Sequence, residues 1–211
     1  MFRSDHMDAS EMDVRDLNDK YACAELIQAW GLYRDQGKWP ELLATFTPDG
    51  QIAVSWFSGG FGEFVDRCRQ AFESGQRSKH QIFPSVVRLA GERALAETNI
   101  AILVRQKIGG VLTDMTSYAR FLDRLERRSG AWLIAERTAI YERDRLDAVE
   151  PSENFERLFK ASDLSIYPEA YRYMAARLVA AGRALATVVY RDGSPHTTQL
   201  YLRYDAWLNG E

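Results

Sequence analysis

The stretch Trp30-Gly-Leu-Tyr-Arg-Asp-Gln-Gly-Lys-Trp39 decides how the chain is arranged, because it ends a long apolar helix with a carboxylate. Apolar residues recur at helical spacing at Leu17, Tyr21, Ala24, Ile27 and Gly31, and again at Leu26, Trp30 and Tyr33. Most of the helix circumference is therefore expected to be covered, with Asp35 at the edge of the core. A carboxylate taken out of water must find a partner or give up its charge. Of the three histidines, His80, at the start of a long predicted strand, is the partner we expect.

Composition indicates one globular domain with an extension. The chain has 211 residues, of which 46% are hydrophobic and 27% charged, enough to build a core. Its 27 basic and 30 acidic residues are mixed throughout and leave a net charge of −3, so we expect no nucleic-acid partner. No apolar run reaches the ~18 residues that cross a bilayer, and the first residues lack the order of a signal peptide. We therefore expect no membrane contact and a cytoplasmic location.

Turn signals and periodicity divide the chain into a helical start, a strand-rich middle and a helical end. In order, the first predicted elements are a helix from about Asp16 to Gly37, a short helix from Trp39 with Phe46 on its apolar face, a turn at 47–50, a strand at 51–56 and a helix at 64–72. Four long strands at 80–89, 94–107, 112–127 and 131–143 then predict an antiparallel meander.

The last third of the chain is predicted to be mainly helical. Pro168 opens a helix that Gly182 closes, residues 186–190 form a short strand, and Ser194-Pro195 begins a final amphipathic helix. We expect three parts: a flexible arm at 1–14, an α+β domain at 15–147, and a mainly helical extension at 148–211 that packs on the same domain or on a neighbouring subunit.

Sequence motifs for metals and cofactors are missing. Cys23 and Cys68 each lie inside a predicted helix without a cysteine or histidine at metal-ligand spacing, so both are interpreted as small buried apolar side chains. The sequence has no Walker loop, no G-x-G-x-x-G, no H-E-x-x-H and no G-x-S-x-G. We therefore expect chemistry that uses neither a metal nor a cofactor.

Several short motifs, taken in order, resemble the SnoaL-like branch of the nuclear-transport-factor-2-like superfamily. They are Ile27-x-x-Trp30-x-x-x-x-Asp35-x-Gly37-x-Trp39, Phe46-Thr-x-Asp-Gly50, His80, Ala94-x-Ala-Glu-Thr98, Arg120-Phe-Leu-Asp-Arg-Leu-Glu-Arg127, and Trp132-Leu-Ile with Arg137. The resemblance covers about residues 17–143. It implies a cone-shaped α+β barrel, in which the N-terminal helices pack on a strongly curved, mostly antiparallel sheet, followed here by the helical extension.

Within that branch, Asp35 and His80 are similar to the Asp–His dyad of scytalone dehydratase, bile-acid 7α-dehydratase and hexachlorocyclohexane dehydrochlorinase. The resemblance implies that the helix-borne carboxylate orients the strand-borne imidazole and makes it more basic, so that His80 takes a proton from the substrate. A tyrosine of the bile-acid enzymes is Trp30 here, and a second histidine of scytalone dehydratase is replaced near Arg105. The substrate is therefore not implied.

Strand alternation supplies further candidates for substrate binding. Asn99 and Arg105 share one face of their strand, and Tyr118 shares the same face of the next. If that face lines the pocket, Arg105 would bind an anionic or developing oxyanion group, while Tyr118 and Asn99 would donate hydrogen bonds. The sequence leaves it equally open that the opposite face of these strands lines the pocket. Three aromatic residues are interpreted as pocket walls or core, namely Tyr33, Trp56 and Trp30.

The resemblance favours a cofactor-independent lyase of the dehydratase or retro-aldol type. The numerous aromatic side chains suit a hydrophobic, aromatic small molecule, such as a lignin-derived or polycyclic compound, as its substrate. An isomerase or polyketide cyclase would use the same residues. A non-catalytic small-molecule-binding or scaffolding subunit of the same fold is the alternative of a different class. Assembly into a homodimer or homotrimer through the outer sheet face is also implied.

Overall fold

The computed structural model describes residues 14–160 and 163–211, without the side chains of residues 158–160. The arm expected at residues 1–14 thus lies outside the described residues except for Val14. The described chain has the expected α+β architecture, in which N-terminal helices pack on a curled, mostly antiparallel sheet and a helical extension follows.

The elements follow one another along the chain with short connections until residue 148. They are α1 Val14–Gln36, α2 Trp39–Leu43, β1 Phe46–Val54, β2 Phe57–Gly60, α3 Phe61–Glu73, β3 Lys79–Ala90, β4 Arg93–Ile108, β5 Val111–Arg128, β6 Ala131–Ala148, α4 Glu153–Lys160, a 3-10 helix Glu169–Tyr171, α5 Arg172–Ala180, β7 Tyr190–Arg191 and α6 Pro195–Asn209. The sheet order is β2-β1-β6-β5-β4-β3, and β7 pairs with β6. The predicted meander is β3 to β6, and each neighbouring pair in it is antiparallel.

Several predicted elements differ from the structure. Strand β6 continues to Ala148, where residue 143 was the predicted end, and β2 and α4 were not predicted. Three further boundaries are wrong. The predicted turn at 47–50 lies inside β1, which begins at Phe46 because that residue pairs with Ile134 of β6, and the pairing register shifts between Phe46 and Gln51. The third helix begins at Phe61, not at residue 64, and in place of a strand at 186–190 only Tyr190–Arg191 pairs with β6. In each case pairing or packing with a distant part of the chain outweighed the local signal.

Helix α1 ends as expected, at Gly37 with φ +70, a left-handed conformation that favours glycine. Its covered surface is narrower than predicted, because Leu17 and Tyr21 are 57% and 67% exposed. A buried stripe formed by Cys23, Ile27, Trp30 and Gly31 faces the sheet. The apolar pattern of α1 therefore overstated how much of the helix the sheet covers.

Gly31 lets α1 approach β3 closely. A Cβ at that position would lie 2.7 Å from Cγ1 of Ile82 and 4.0 Å from Cβ of His80. The absence of a side chain thus brings the C-terminal turn of α1 against the first residues of β3. This approach places Asp35, one turn further along α1, beside His80.

The C-terminal extension packs on both faces of the sheet. Helix α5 buries Met174, Ala175 and Leu178 in the main core inside the cone. Helix α6 buries a second cluster on the outer face, formed by Leu95, Leu122 and Ile140 of the sheet with Leu200, Tyr204 and Leu208 of the helix. The chain itself thus covers part of the face through which assembly was expected, and a homodimer or homotrimer stays a prediction.

No helix among the described residues is both long enough and apolar enough to cross a membrane.

A buried ion pair lies inside the cone. Asp123 and Arg137 are opposite each other on β5 and β6, both 0% exposed, and share two hydrogen bonds of 2.7 and 2.8 Å. The guanidinium carbon of Arg137 lies 4.5 Å from the ring centre of Trp30 and 4.1 Å from that of Phe121. The pair therefore joins the two central strands directly beneath α1.

We expect the substitution Asp123→Asn to lower the free energy of unfolding by about 3–5 kcal/mol, because it leaves a buried guanidinium without a counter-charge. Urea denaturation monitored by circular dichroism measures this loss. Asp114→Asn is the matched control, since Asp114 faces Arg105 across β5 and β4 in the same two-bond geometry but on an exposed surface. Equal urea midpoints for the two variants would contradict the expectation.

Candidate active site

A cavity of about 70 Å³ lies inside the cone, between α1, α3, the inner face of the sheet and α5. Its apolar walls include Trp30, Trp56, Phe64, Ile102, Val104 and Phe121. The ring of Trp56 stacks on Phe64 with centroids 5.3 Å apart, and Trp30 meets Phe121 edge-on at 5.3 Å. The walls are therefore held by aromatic packing on three sides of a small space.

His80 lines this cavity and is held by Asp35 through two hydrogen bonds. Its ring Nδ1 lies 2.6 Å from Oδ1 of Asp35, and its backbone N–H donates to Oδ2 at 2.7 Å. Lys79 lies 3.7 Å from the same Oδ2. An ionised carboxylate only accepts hydrogen bonds, so Nδ1 carries the ring proton and Nε2 keeps its lone pair. The arrangement fixes one tautomer and one ring orientation.

Burial lowers the pKa of His80, and the hydrogen bond and charge of Asp35 raise it back only in part. The charges of Arg34 and Arg137 lower the pKa further. Asp35 does act in the expected direction, but burial outweighs it because the side chain of His80 is only 9% exposed. The imidazole is therefore neutral near pH 7, the state in which Nε2 can accept a proton.

Polar groups that the sequence reasoning missed face the same cavity. Tyr141 is fully buried on β6, and its hydroxyl accepts a hydrogen bond of 3.0 Å from the backbone N–H of Ser55. Burial raises the pKa of Tyr141, so the phenol stays protonated at neutral pH. Among the described residues, no protein partner reaches the buried Nε1 of Trp30, Oγ of Ser55 or Nε of Arg177. The cavity wall thus offers several hydrogen-bond donors to a ligand.

The alternation of side chains along the strands could have identified these residues once one inward-facing residue was known. Phe121 faces the cavity and lies opposite Ala139, so Arg137 and Tyr141, two residues to either side, share that face of β6. On β4 the inward residues are Ile102 and Val104. The inward parity is therefore the opposite of the one that carries Asn99 and Arg105.

The predicted substrate-binding residues lie in three different places. Trp30 and Trp56 line the cavity with His80, while Tyr33 lies in a separate cleft beside α1 and Trp132. The other three lie on the outside: Asn99 is exposed, Arg105 pairs with Asp114 on the exposed surface, and Tyr118 packs under Arg143 with 5.0 Å between ring centre and guanidinium carbon. The structure does not bring these three to His80.

A wider cleft of about 490 Å³ adjoins the cavity and shares with it Trp56, Ala71, Gln76 and Arg183. The inner cavity alone is small compared with ligand pockets, which are roughly 300 Å³ or larger. The shared residues therefore lie between the inner space and an outer one large enough for an aromatic ring system.

In the part of the chain that the structure describes, no group of three or more histidine, cysteine, aspartate or glutamate side chains is arranged to hold a metal ion.

Comparison with known proteins identifies the family. A model of the SnoaL-like domain matches residues 15–138. Pea pathogenicity protein 2 from Fusarium vanettenii is 26% identical over 155 residues, which cover 72% of this chain but only 65% of that protein's length.

Two solved structures share the fold. A hexachlorocyclohexane dehydrochlorinase, LinA type 2, superposes with a TM-score of 0.55 at 12% identity over 67% of this chain and 97% of that one. A candidate scytalone dehydratase from Novosphingobium aromaticivorans superposes with a TM-score of 0.54 at 14% identity over 67% of this chain and 94% of that one. At this level of identity the likeness concerns the fold alone.

We expect nuclear magnetic resonance titration of the ring nitrogens to show that His80 carries its proton on Nδ1 at pH 7 and has a pKa below the ordinary 6.5. Asp35→Asn should lower this pKa further, because the carboxylate is the group that raises it. A His80 pKa above 6.5 in the unaltered protein would show that burial does not dominate, and a rise in Asp35→Asn would show that the carboxylate does not raise the pKa.

Proposed function

The chain belongs to the SnoaL-like family, and from that premise we propose that it is a cofactor-independent lyase acting on a small, hydrophobic, aromatic molecule such as a lignin-derived or polycyclic compound. The single observation that carries the proposal is the imidazole of His80, which lines the inner cavity and is held by two hydrogen bonds to Asp35. A base of this kind needs an oriented ring, a free lone pair and a pKa near the working pH.

In the proposed elimination of water, Nε2 of His80 takes a proton from a substrate carbon. The electrons of that C–H bond form a C=C bond while the neighbouring C–O bond breaks, and the departing hydroxide takes the proton from the imidazolium of His80 and leaves as water. Asp35 stabilises the imidazolium that forms, and Tyr141, which stays protonated, donates to the oxygen where negative charge develops.

The retro-aldol variant uses the same residues on a β-hydroxy substrate. His80 takes the hydroxyl proton, the adjacent C–C bond breaks, an aldehyde is released, and the carbanion takes up the proton that His80 holds. An isomerase or cyclase would return the proton to the substrate instead. The names of the two solved structures describe eliminations of water and of hydrogen chloride, and therefore favour elimination in this chain.

The size of the cavity limits how a substrate fits. An aromatic ring system exceeds an inner space of about 70 Å³, whereas the adjoining cleft has about 490 Å³. We therefore place the reacting end of the substrate at His80 and its body beside Trp56, in the outer cleft. The side chain of Arg183 lines both spaces and would have to adjust as the substrate enters.

The same small volume favours the alternative, a binding or scaffolding subunit without catalysis. In that case Asp35 and His80 would only support the packing between α1 and β3. A chemical test separates the two functions, since a purely structural pair gives no turnover with any substrate.

We expect a screen of aromatic alcohols and β-hydroxy diaryl compounds, read by product mass spectrometry, to yield a substrate. His80→Ala and Asp35→Asn should then lower turnover by about 10²- to 10⁴-fold, because the first removes the base and the second its orientation.

Two exposed positions supply matched controls: His196→Ala, and Asp147→Asn, whose carboxylate pairs with Arg145 on the surface. Both should keep normal turnover. If His80→Ala retains normal turnover with the same substrate, catalysis by this residue is excluded.

A further inference from the structure

Three arginines line the cavity without an acidic partner. Arg34 comes from α1, Arg177 from α5, and Arg183 from the segment that follows α5. Within residues 14–160 and 163–211, no carboxylate lies within 4.0 Å of any of the three. Elsewhere the same chain pairs its partly covered arginines with acids, as Arg120 is with three carboxylates and Arg137 with Asp123.

Arg34 shares a side-chain hydrogen bond with the thiol of Cys68, and the contacts of Arg177 and Arg183 leave most of their donors unused. Nη2 of Arg177 lies 3.7 Å from the sulfur of Met174, a weak acceptor, and its buried Nε has no partner among the described residues. Nη2 of Arg183 donates to the side-chain oxygen of Gln76 at 2.9 Å, and its guanidinium carbon lies 5.1 Å from the ring centre of Trp56. A guanidinium carries five N–H donors, so both side chains retain capacity for a further acceptor.

The three positive charges also act on one another. Burial lowers the pKa of Arg177, and the charge of Arg183 lowers it further. The pKa of Arg183 is lowered in the same way by burial and by the charge of Arg34. Like charges gathered in a partly covered space destabilise each other, and a bound anion would remove that cost.

We propose that the substrate is a small aromatic or unsaturated carboxylic acid whose carboxylate is bound by Arg34, Arg177 and Arg183. The fork of a guanidinium matches the two oxygens of a carboxylate, and a group of this size suits the inner cavity. The apolar walls of the inner cavity, among them Ile102 and Val104, would contact the carbon atoms next to the carboxylate, while the aromatic body lies beside Trp56 in the outer cleft. The position of the reacting carbon at His80 rests on the proposed function, whereas the carboxylate site rests on the arginines alone.

A bound carboxylate would also strengthen the base. The charge of Arg34 is one of the causes that lower the pKa of His80. An anion beside Arg34 offsets that charge, so the imidazole becomes a better proton acceptor when the acid is bound. Binding of the acid thereby raises the pKa of His80 through its effect on Arg34.

Isothermal titration calorimetry tests the proposal with benzoate, trans-cinnamate and 4-hydroxybenzoate, their methyl esters, and inorganic phosphate. We expect at least one acid to bind about 10-fold or more tightly than its ester, and Arg177→Gln and Arg183→Gln to weaken that acid about 10- to 100-fold without affecting the ester. Arg183→Lys should retain part of the affinity. Arg145→Gln, which removes an exposed charge, should leave binding unchanged.

Titrations of the acids into His80→Ala separate this proposal from the proposed lyase function, because that variant lacks the base but keeps the arginines. Equal affinity of acids and esters, tighter binding of phosphate, unchanged affinity in the arginine variants, or no binding of any acid would overturn the carboxylate site, even if an aromatic alcohol is turned over. Arginine-dependent binding of acids without any His80-dependent turnover would support the site and count against the lyase.

Discussion

The structure depends on the close contact between α1 and β3 at Gly31. A side chain at this position would collide with Ile82, so the helix reaches the strand only because the residue is glycine. Asp35 follows one turn later, and its two oxygens bind the ring and the backbone of His80. The contact thus sets the distance between the carboxylate and the imidazole, and it also closes one side of the cavity.

Charges inside the cone are arranged in two different ways. Asp123 and Arg137 pair with each other through two hydrogen bonds, and the guanidinium of Arg137 packs against Trp30 and Phe121. Around the cavity, by contrast, Arg34, Arg177 and Arg183 lie near His80, and among the described residues none of the three forms an ion pair with a carboxylate. A buried ion pair is compatible with a permanent structural role, whereas unpaired positive charge around an empty space is compatible with a ligand that brings its own negative charge.

The C-terminal extension changes both faces of the domain. Helix α5 and the segment after it supply Met174, Arg177 and Arg183 to the cavity. Helix α6 covers part of the outer face, where Tyr201 donates to Glu97 at 2.5 Å and Arg120 binds Asp192 at 2.7 Å. Residues far beyond the cone in the sequence therefore line part of the cavity and cover part of the outer sheet surface.

The sequence by itself determined α1 and its end at Gly37, the four-stranded meander and the expectation that Asp35 meets His80, because these follow from local periodicity, turn residues and family motifs. It did not predict β2 or α4. It left open which strand parity faces inward, since both faces of the β4–β5 region carry apolar and polar residues. Only the tertiary structure decided that Tyr141 faces the cavity and that Arg105 lies on the outside. It also decided that burial lowers the pKa of His80 by more than Asp35 raises it. The structure likewise decided that Arg177 of α5 lines the same cavity as Arg34 of α1, although more than a hundred residues separate them in the sequence. These outcomes depend on which surfaces meet across long sequence separations, and short-range patterns do not specify that.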